Sequence, residues 1–217
     1  MVFKKLITSL FNIVLPRSKE SAILGNISPE NFIDKAKPCR KQPTDAIALF
    51  DYSDPLVKAL IWDLKFRRRR FRAELIGNLM YETLLGELGE SPQFRNIGKP
   101  LIIPVPLGRE KRQDRGFNQC ELIVEHMEKI DRGKNFSYVP KIIEKTHDTK
   151  VQSRTTDRDA RAKNIAGCFS VKNPELVKGK TVIVIDDVIT TGSTISEIKK
   201  ILLVAGAKEV IGLAFAH

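Results

Sequence analysis

The sequence predicts an α/β protein whose core is a parallel sheet flanked by helices. Three observations carry this. Val182-Ile183-Val184-Ile185 is a β-branched run with no polar alternation, which suits a strand buried on both faces of a parallel sheet. Strand-like runs alternate with helix-periodic ones along the chain. Residues 182–206 then read strand, acids, hydroxyl-rich turn, helix, which puts the acids and hydroxyls at the carboxyl end of a strand, where open α/β sheets bind ligands.

The elements follow in order. Met1–Pro16 has Lys4-Lys5 before an apolar run, but Thr8, Ser9 and Asn12 interrupt that run and no clean small-residue cleavage site follows. It is too short to span a bilayer and reads as an amphipathic or lightly membrane-attracted arm. Residues 17–44 are polar and rich in proline, a weakly structured segment with a short helix near 29–36. The expected division is an N-terminal appendage, 1–44, and one domain, 45–217.

Residues 45–52 read as a strand. Asp54-Pro55 starts a helix, Asp as cap and Pro in the first turn, with Leu56, Val57, Leu60, Ile61 and Leu64 on its buried stripe. Arg67–Arg70 reads as a loop. Leu75, Ile76, Leu79, Met80 and Leu84 mark a second helix, ended by Gly86, Gly89 and Pro92. Leu101–Val105 is the next strand, Pro106–Gly116 a basic loop, and Cys120, Ile123, Val124, Met127 and Ile130 the inner face of a third helix. Strands are expected within 136–144 and at 166–171. The signature strand and its helix follow, with Ile195, Ile198, Leu202 and Ala205 inward and Gly206 as stop. Val210–Ala216 is the last strand.

Composition narrows the function. A chain of 217 residues with 42% hydrophobic content can bury a full core, and a formal charge of +11 points to anionic partners, a small polyphosphate or a nucleic-acid backbone. The cations cluster at Lys65, Arg67–Arg70 and Arg72; at Arg109, Lys111, Arg112 and Arg115; and at Arg154, Arg158, Arg161 and Lys163. Cys39, Cys120 and Cys168 are odd in number and form no CxxC, which argues against a disulfide framework and for a reducing, cytoplasmic setting.

Chemistry concentrates in three places. After Ile185 come Asp186 and Asp187, then Thr190, Thr191, Gly192, Ser193 and Thr194 at a helix start. Unpaired N–H groups, the helix dipole and hydroxyl donors favour a phosphate there. Gly192 lets backbone approach closely. The acids can accept from sugar hydroxyls or help hold hydrated Mg²⁺. Together these describe a ribose 5-phosphate site. No Gly-Lys-[Ser/Thr] is present, which excludes a Walker loop. The second place is the loop after Leu101–Val105, with Pro106, Leu107, Gly108, Arg109, Lys111, Arg112 and Arg115 before a helix N-terminus, an anion site of pyrophosphate size. The third is 145–163, long, cationic and poorly anchored, either a lid or a surface excursion. His126 and His147 read as surface histidines.

Residues 182–194 resemble the phosphoribosyl pyrophosphate (PRPP) signature of type I phosphoribosyltransferases. With Asp54-Pro55-Leu56, Leu64-Lys65-Phe66, Pro104-Val105-Pro106-Leu107, Arg115-Gly116-Phe117-Asn118-Gln119, Gln152 and Arg161-x-x-Asn164, the chain from about Ala48 onward resembles the ComF family, associated with DNA uptake in natural transformation. The resemblance implies a type I phosphoribosyltransferase-like fold with a hood, Asp186 and Asp187 on the ribose hydroxyls, Thr190–Thr194 on the 5′-phosphate, the 106–109 turn on pyrophosphate and bridging Mg²⁺. It also implies a competence machinery with its helicase, or single-stranded DNA, as partner; a homodimer is compatible with it. Two departures stand out. The family usually begins with a four-cysteine zinc ribbon; here that region holds only Cys39, so no zinc is expected. Gly108 stands where the family often has His. The alternative to a transferase is a non-catalytic nucleotide- or DNA-binding component.

Overall fold

The computed structural model describes residues 24–67, 70–90, 98–147 and 165–217. The expected N-terminal arm, most of the 145–163 segment with Gln152, Arg154, Arg158, Arg161 and Lys163, and Asn164 beyond it lie outside the described residues.

Five parallel strands form the sheet: β1 (Ala46–Phe50), β2 (Leu101–Pro104), β3 (Ser137–Tyr138), β6 (Thr181–Val188) and β7 (Glu209–Ala216), in the order β1-β7-β6-β2-β3. A separate antiparallel pair, β4 (Ile143–Lys145) with β5 (Phe169–Val171), makes the hood. Helices are α1 (Pro29–Lys35), α2 (Pro55–Phe66), α3 (Arg70–Glu90), α4 (Arg109–Arg115), α5 (Gln119–Asp131) and α6 (Ser193–Val204).

The sheet is buried on both faces, as the unalternating run in β6 requires. On one face Ile102, Ile183, Ile185, Leu213 and Phe215 pack against α2, α3 and α5. On the other, Ile103, Val182, Val184 and Ala214 pack against Ile195, Ile198 and Leu202 of α6 and against Ile143 and Phe169 of the hood. The expected stripes of α2, α3, α5 and α6 are buried; Ile130 and Ala205 are partly so. Asp54 caps α2, accepting from the Leu56 and Val57 amides at 2.7 and 3.2 Å.

Several expectations need correction. The segment expected to be weakly structured is anchored at three points: Leu24, Phe32 and Ala36 are buried, the Phe32 ring lies 5.2 Å from Phe50 and 5.8 Å from Phe215, and the short helix expected near 29–36 is α1. Helix α3 runs through Gly86 and Gly89 to Glu90, because Leu84, Leu85 and Leu88 pack on the core and tertiary burial outweighs the glycine penalty. The 136–144 run holds two short strands in different sheets, β3 and the start of β4. Arg72, grouped above with the Lys65 and Arg67–Arg70 cations, is not exposed to an anionic partner. It is buried, with Nη2 3.2 Å from the equally buried Asp63 carboxylate and Nη1 donating to the Leu24 carbonyl. Arg67 also faces Asp63, at 3.4 Å. Among the described residues no helix is long and apolar enough to cross a membrane.

Candidate functional site

Strands β2 and β6 are neighbours, yet the chain leaves them in opposite directions. β2 leads through α4 and α5 to β3 on the side away from β6, and β6 leads through α6 to β7 on the side away from β2. Diverging connections open a crevice at the carboxyl ends, the place where open α/β sheets bind ligands. The Val105 amide donates to Ile185 O at 2.9 Å, so the ladder holds both loop bases side by side.

β6 does not stop at the acids. It continues through Asp186 and Asp187 to Val188, paired with β7 up to Val188–Ala216. Register with an interior strand therefore fixes the acids. The turn follows: Thr190 is exposed, while Thr191, Gly192, Ser193 and Thr194 are half-buried. Gly192 has φ +79°, a left-handed conformation that only glycine adopts cheaply, and as the cap residue it offers no side chain to the helix. The hydroxyls of Thr191 and Ser193 share a hydrogen bond of 2.8 Å beside this helix start.

The two acids differ. Asp187 is only 3% exposed; its Oδ2 is ion-paired with the Lys65 ammonium from the end of α2, and its Oδ1 accepts from Gln119 Nε2 at 3.4 Å. For Lys65 burial is the largest influence and works to lower the ammonium pKa, but Asp187 and Asp186 together outweigh it and raise the pKa above its ordinary value. Asp186 is half-buried. Its Oδ1 accepts from the Asp187 amide at 2.9 Å and lies 3.5 Å from Cys120 Sγ. Burial, then the neighbouring Asp187 charge, pushes the Asp186 carboxyl up to about 7, against the pull of Lys65. Burial also drives the Cys120 thiol well up, so it stays protonated. Cys120 is core, as its stripe predicts.

The second loop differs from the expected basic loop: residues 109–115 form the short helix α4, ended by Gly116 at φ +77°. The start of α5 is not free either. Asn118 caps it, Oδ1 accepting from the Cys120 amide at 2.9 Å, while its Nδ2 donates to Val105 O at 2.9 Å and ties the helix to the end of β2. In the first turn of α5 the Gln119 and Cys120 side chains meet Asp187 and Asp186. Pro106, Leu107 and the buried Gly108 form the turn between β2 and α4; Arg109 and Lys111 are exposed along α4. Arg112 is held by Glu121 at 2.9 and 2.6 Å. Arg115 donates to Gln119 Oε1 at 2.8 Å, its guanidinium 5.5 Å from the Phe66 ring centre. His126, half-buried, meets Asn78 at 2.9 Å between α5 and α3. Exposed His147 meets its neighbour Thr146.

Sequence reasoning missed Lys65 and Gln119 as site residues. A signal for Lys65 existed: a lysine one turn after Ile61 on an otherwise apolar stripe needs a buried partner.

A parallel sheet with this crevice, a hydroxyl-lined turn after paired acids and an antiparallel hood defines the class of type I phosphoribosyltransferase-fold proteins. The Phosphoribosyl transferase domain family model matches residues 132–216. The chain is 33% identical over 165 residues to the DNA utilization protein YhgH of Escherichia coli O157:H7, covering 76% of this chain and 68% of that one. It is 29% identical over 161 residues to competence protein F of Haemophilus influenzae, covering 73% and 66%. The chain belongs to the ComF family of phosphoribosyltransferase-like proteins. Among solved structures it is similar to the phosphoribosylpyrophosphate synthetase of Mycobacterium smegmatis at 23% identity and TM-score 0.37, covering 63% of this chain and 32% of that one.

Proposed function

We propose that the crevice binds a ribose 5-phosphate group, carried by PRPP or a related ligand. The observation that supports this best is the start of α6. A helix of 12 residues opens on a left-handed glycine that itself offers no side-chain cap, beside the Thr191 and Ser193 hydroxyls, with the Ser193 amide reaching Thr191 Oγ1 at a long 3.5 Å, soon after the strand that holds Asp186. Such an N-terminus favours a phosphate through its N–H groups and dipole. Asp186 then accepts from the ribose hydroxyls, and the 106–109 turn with Arg109 and Lys111 meets pyrophosphate.

Mg²⁺ fits one half of the acid pair. Asp187 has its charge taken up by Lys65, and Cys120 is a soft ligand unsuited to a hard cation. Asp186 would hold the ion together with ligand and water oxygens, where it would offset phosphate charge. In the transfer reading, an acceptor nitrogen forms a bond to C1′ with its lone pair as the C1′–O bond to pyrophosphate breaks. The bonding pair leaves with pyrophosphate, and the acceptor's proton passes to solvent. The protein's part is to orient the ribose and stabilise the leaving charge.

Isothermal titration with ribose 5-phosphate and with PRPP, each with Mg²⁺, tests binding: saturable heat in the wild type, reduced about tenfold or more in Asp186→Asn, is expected. No saturable binding refutes the site. Pyrophosphate release with a panel of bases then separates a transferase from a binder.

A second reading has its own support. On α2, Arg67 lies 5.0 Å from the Trp62 ring centre, and Phe66, 58% exposed, carries Arg115. Cations interleaved with aromatic rings suit single-stranded nucleic acid, and the relatives' names speak of competence and DNA utilization. Salt-sensitive binding of single-stranded DNA that persists in Asp186→Asn would favour this surface role. Three cysteines with no CxxC spacing suit a reducing, cytoplasmic location.

A further inference from the structure

We infer that His217 is a positioning residue of the phosphate turn: its ring holds the carbonyl of Ile189 and so sets the direction in which the chain leaves β6 for Thr190–Thr194. The inference rests on the ribose 5-phosphate reading and deepens it.

Beyond its last residue, β6 is still attached to β7, because the Ile189 amide donates to Ala216 O at 2.9 Å. In a parallel ladder the N–H and C=O of one residue point to the same side, so Ile189 O also faces β7. There it meets the His217 ring, with Nδ1 3.0 Å away. A carbonyl only accepts, so Nδ1 carries the proton and donates. Ile189 is buried, and a buried carbonyl left without a donor is costly.

The lever lies in the peptide plane. The C=O of Ile189 and the N–H of Thr190 belong to one rigid planar group and point in opposite directions. An oxygen held toward β7 therefore turns the Thr190 N–H away from β7, toward the side where β2 lies and the crevice opens. The backbone that carries the ring is itself fixed on the end of β1. The His217 N–H donates to Phe50 O at 3.1 Å, and its C=O accepts from the Tyr52 amide at 2.9 Å. One half-buried residue thus joins the ends of β1, β7 and β6 at the point where the turn begins.

The test separates the two ring nitrogens. An asparagine Nδ2 falls close to the place of a histidine Nδ1, and a glutamine Nε2 close to that of a histidine Nε2. His217→Ala, His217→Asn and His217→Gln are compared with the wild type in three ways: calorimetry with ribose 5-phosphate and Mg²⁺, amide hydrogen exchange across residues 189–194 without ligand, and thermal melts. His217→Ala is expected to speed exchange across 189–194 and to weaken binding roughly fivefold, the weight of one neutral hydrogen bond. His217→Asn should return both to within about twofold of the wild type, and His217→Gln neither. Wild-type exchange and affinity in His217→Ala, or a His217→Asn no better than His217→Ala, overturn the inference while the site stands. Rescue by His217→Gln instead overturns it too, since the ring then meets the ligand through Nε2. So does an affinity loss that merely follows the fraction unfolded in the melts. Absence of binding by the wild type overturns the ribose 5-phosphate reading, and exchange across 189–194 then decides the hold on Ile189 by itself.

Discussion

Gly212→Ala is the sharpest probe of how the fold places the α6 turn. Gly212 lies in β7 beneath the first turn of α6. A methyl group built there would sit 2.6 Å from Ala46 Cβ, 2.8 Å from Ile195 Cγ2 and 3.2 Å from Asp45 O. Carbon atoms pack at about 3.5–4.0 Å, so β1 or α6 must retreat by roughly 1 Å. Neither neighbour is a flexible side-chain end: Ala46 Cβ moves with strand β1, and the branched Ile195 is fixed by the core. Overpacking of this kind costs about 1–3 kcal/mol, and a domain of this size loses about 2–4 °C per kcal/mol. Ile195 is two residues past Ser193, so the retreat also moves the helix start. Thermal melts should show a drop of several degrees, and titration with ribose 5-phosphate a loss of affinity beyond the fraction unfolded. Wild-type melting and affinity together would refute both the close packing and its link to the turn.

Other perturbations separate the remaining claims. Gly192→Ala meets open space but keeps φ +79°, so it should cost about 1 kcal/mol of stability in melts and weaken ribose 5-phosphate binding in calorimetry without an overpacking signature. The Asp186 carboxyl lies above its unfolded value, so the folded state holds a proton that the unfolded chain releases first. Its contribution is therefore fully present below about pH 4 and is lost as pH rises toward about 7. Melts of Asp186→Asn across pH 5 to 8 should decline less steeply than those of the wild type; parallel slopes would refute this. Asp63→Ala strands the buried Arg72 and should cost about 3–5 kcal/mol in denaturant unfolding, an effect far larger than a surface pair gives.

Much of the site was legible because its logic is local. Strand, acids, glycine and hydroxyls fall within 13 consecutive residues, and a helix start follows from their spacing. The stripes of α2, α3 and α6 were legible for the same reason, since periodicity marks a buried face whatever covers it. The second loop was read less well. A helix of seven residues between a short loop and a glycine leaves almost no periodic signal, and Arg112 gave no sign that Glu121 would claim it. Arg72 misled because charge alone suggests solvent; Asp63, nine residues earlier on a neighbouring helix, and the distant Leu24 carbonyl hold it inward.

The sequence by itself determined most of the element order, the buried β6 strand and the hydroxyl-rich turn into a helix after Asp186 and Asp187, because each rests on contacts or periodicities within a few residues. The tertiary structure decided the different surroundings of those two acids. Lys65 lies about 120 positions upstream of Asp187 and Gln119 about 70, and whether a carboxylate faces a ligand or a buried ammonium depends on how α2 and α5 pack across the sheet. Ion pairing falls steeply with distance and rises with burial, and a one-dimensional string records neither.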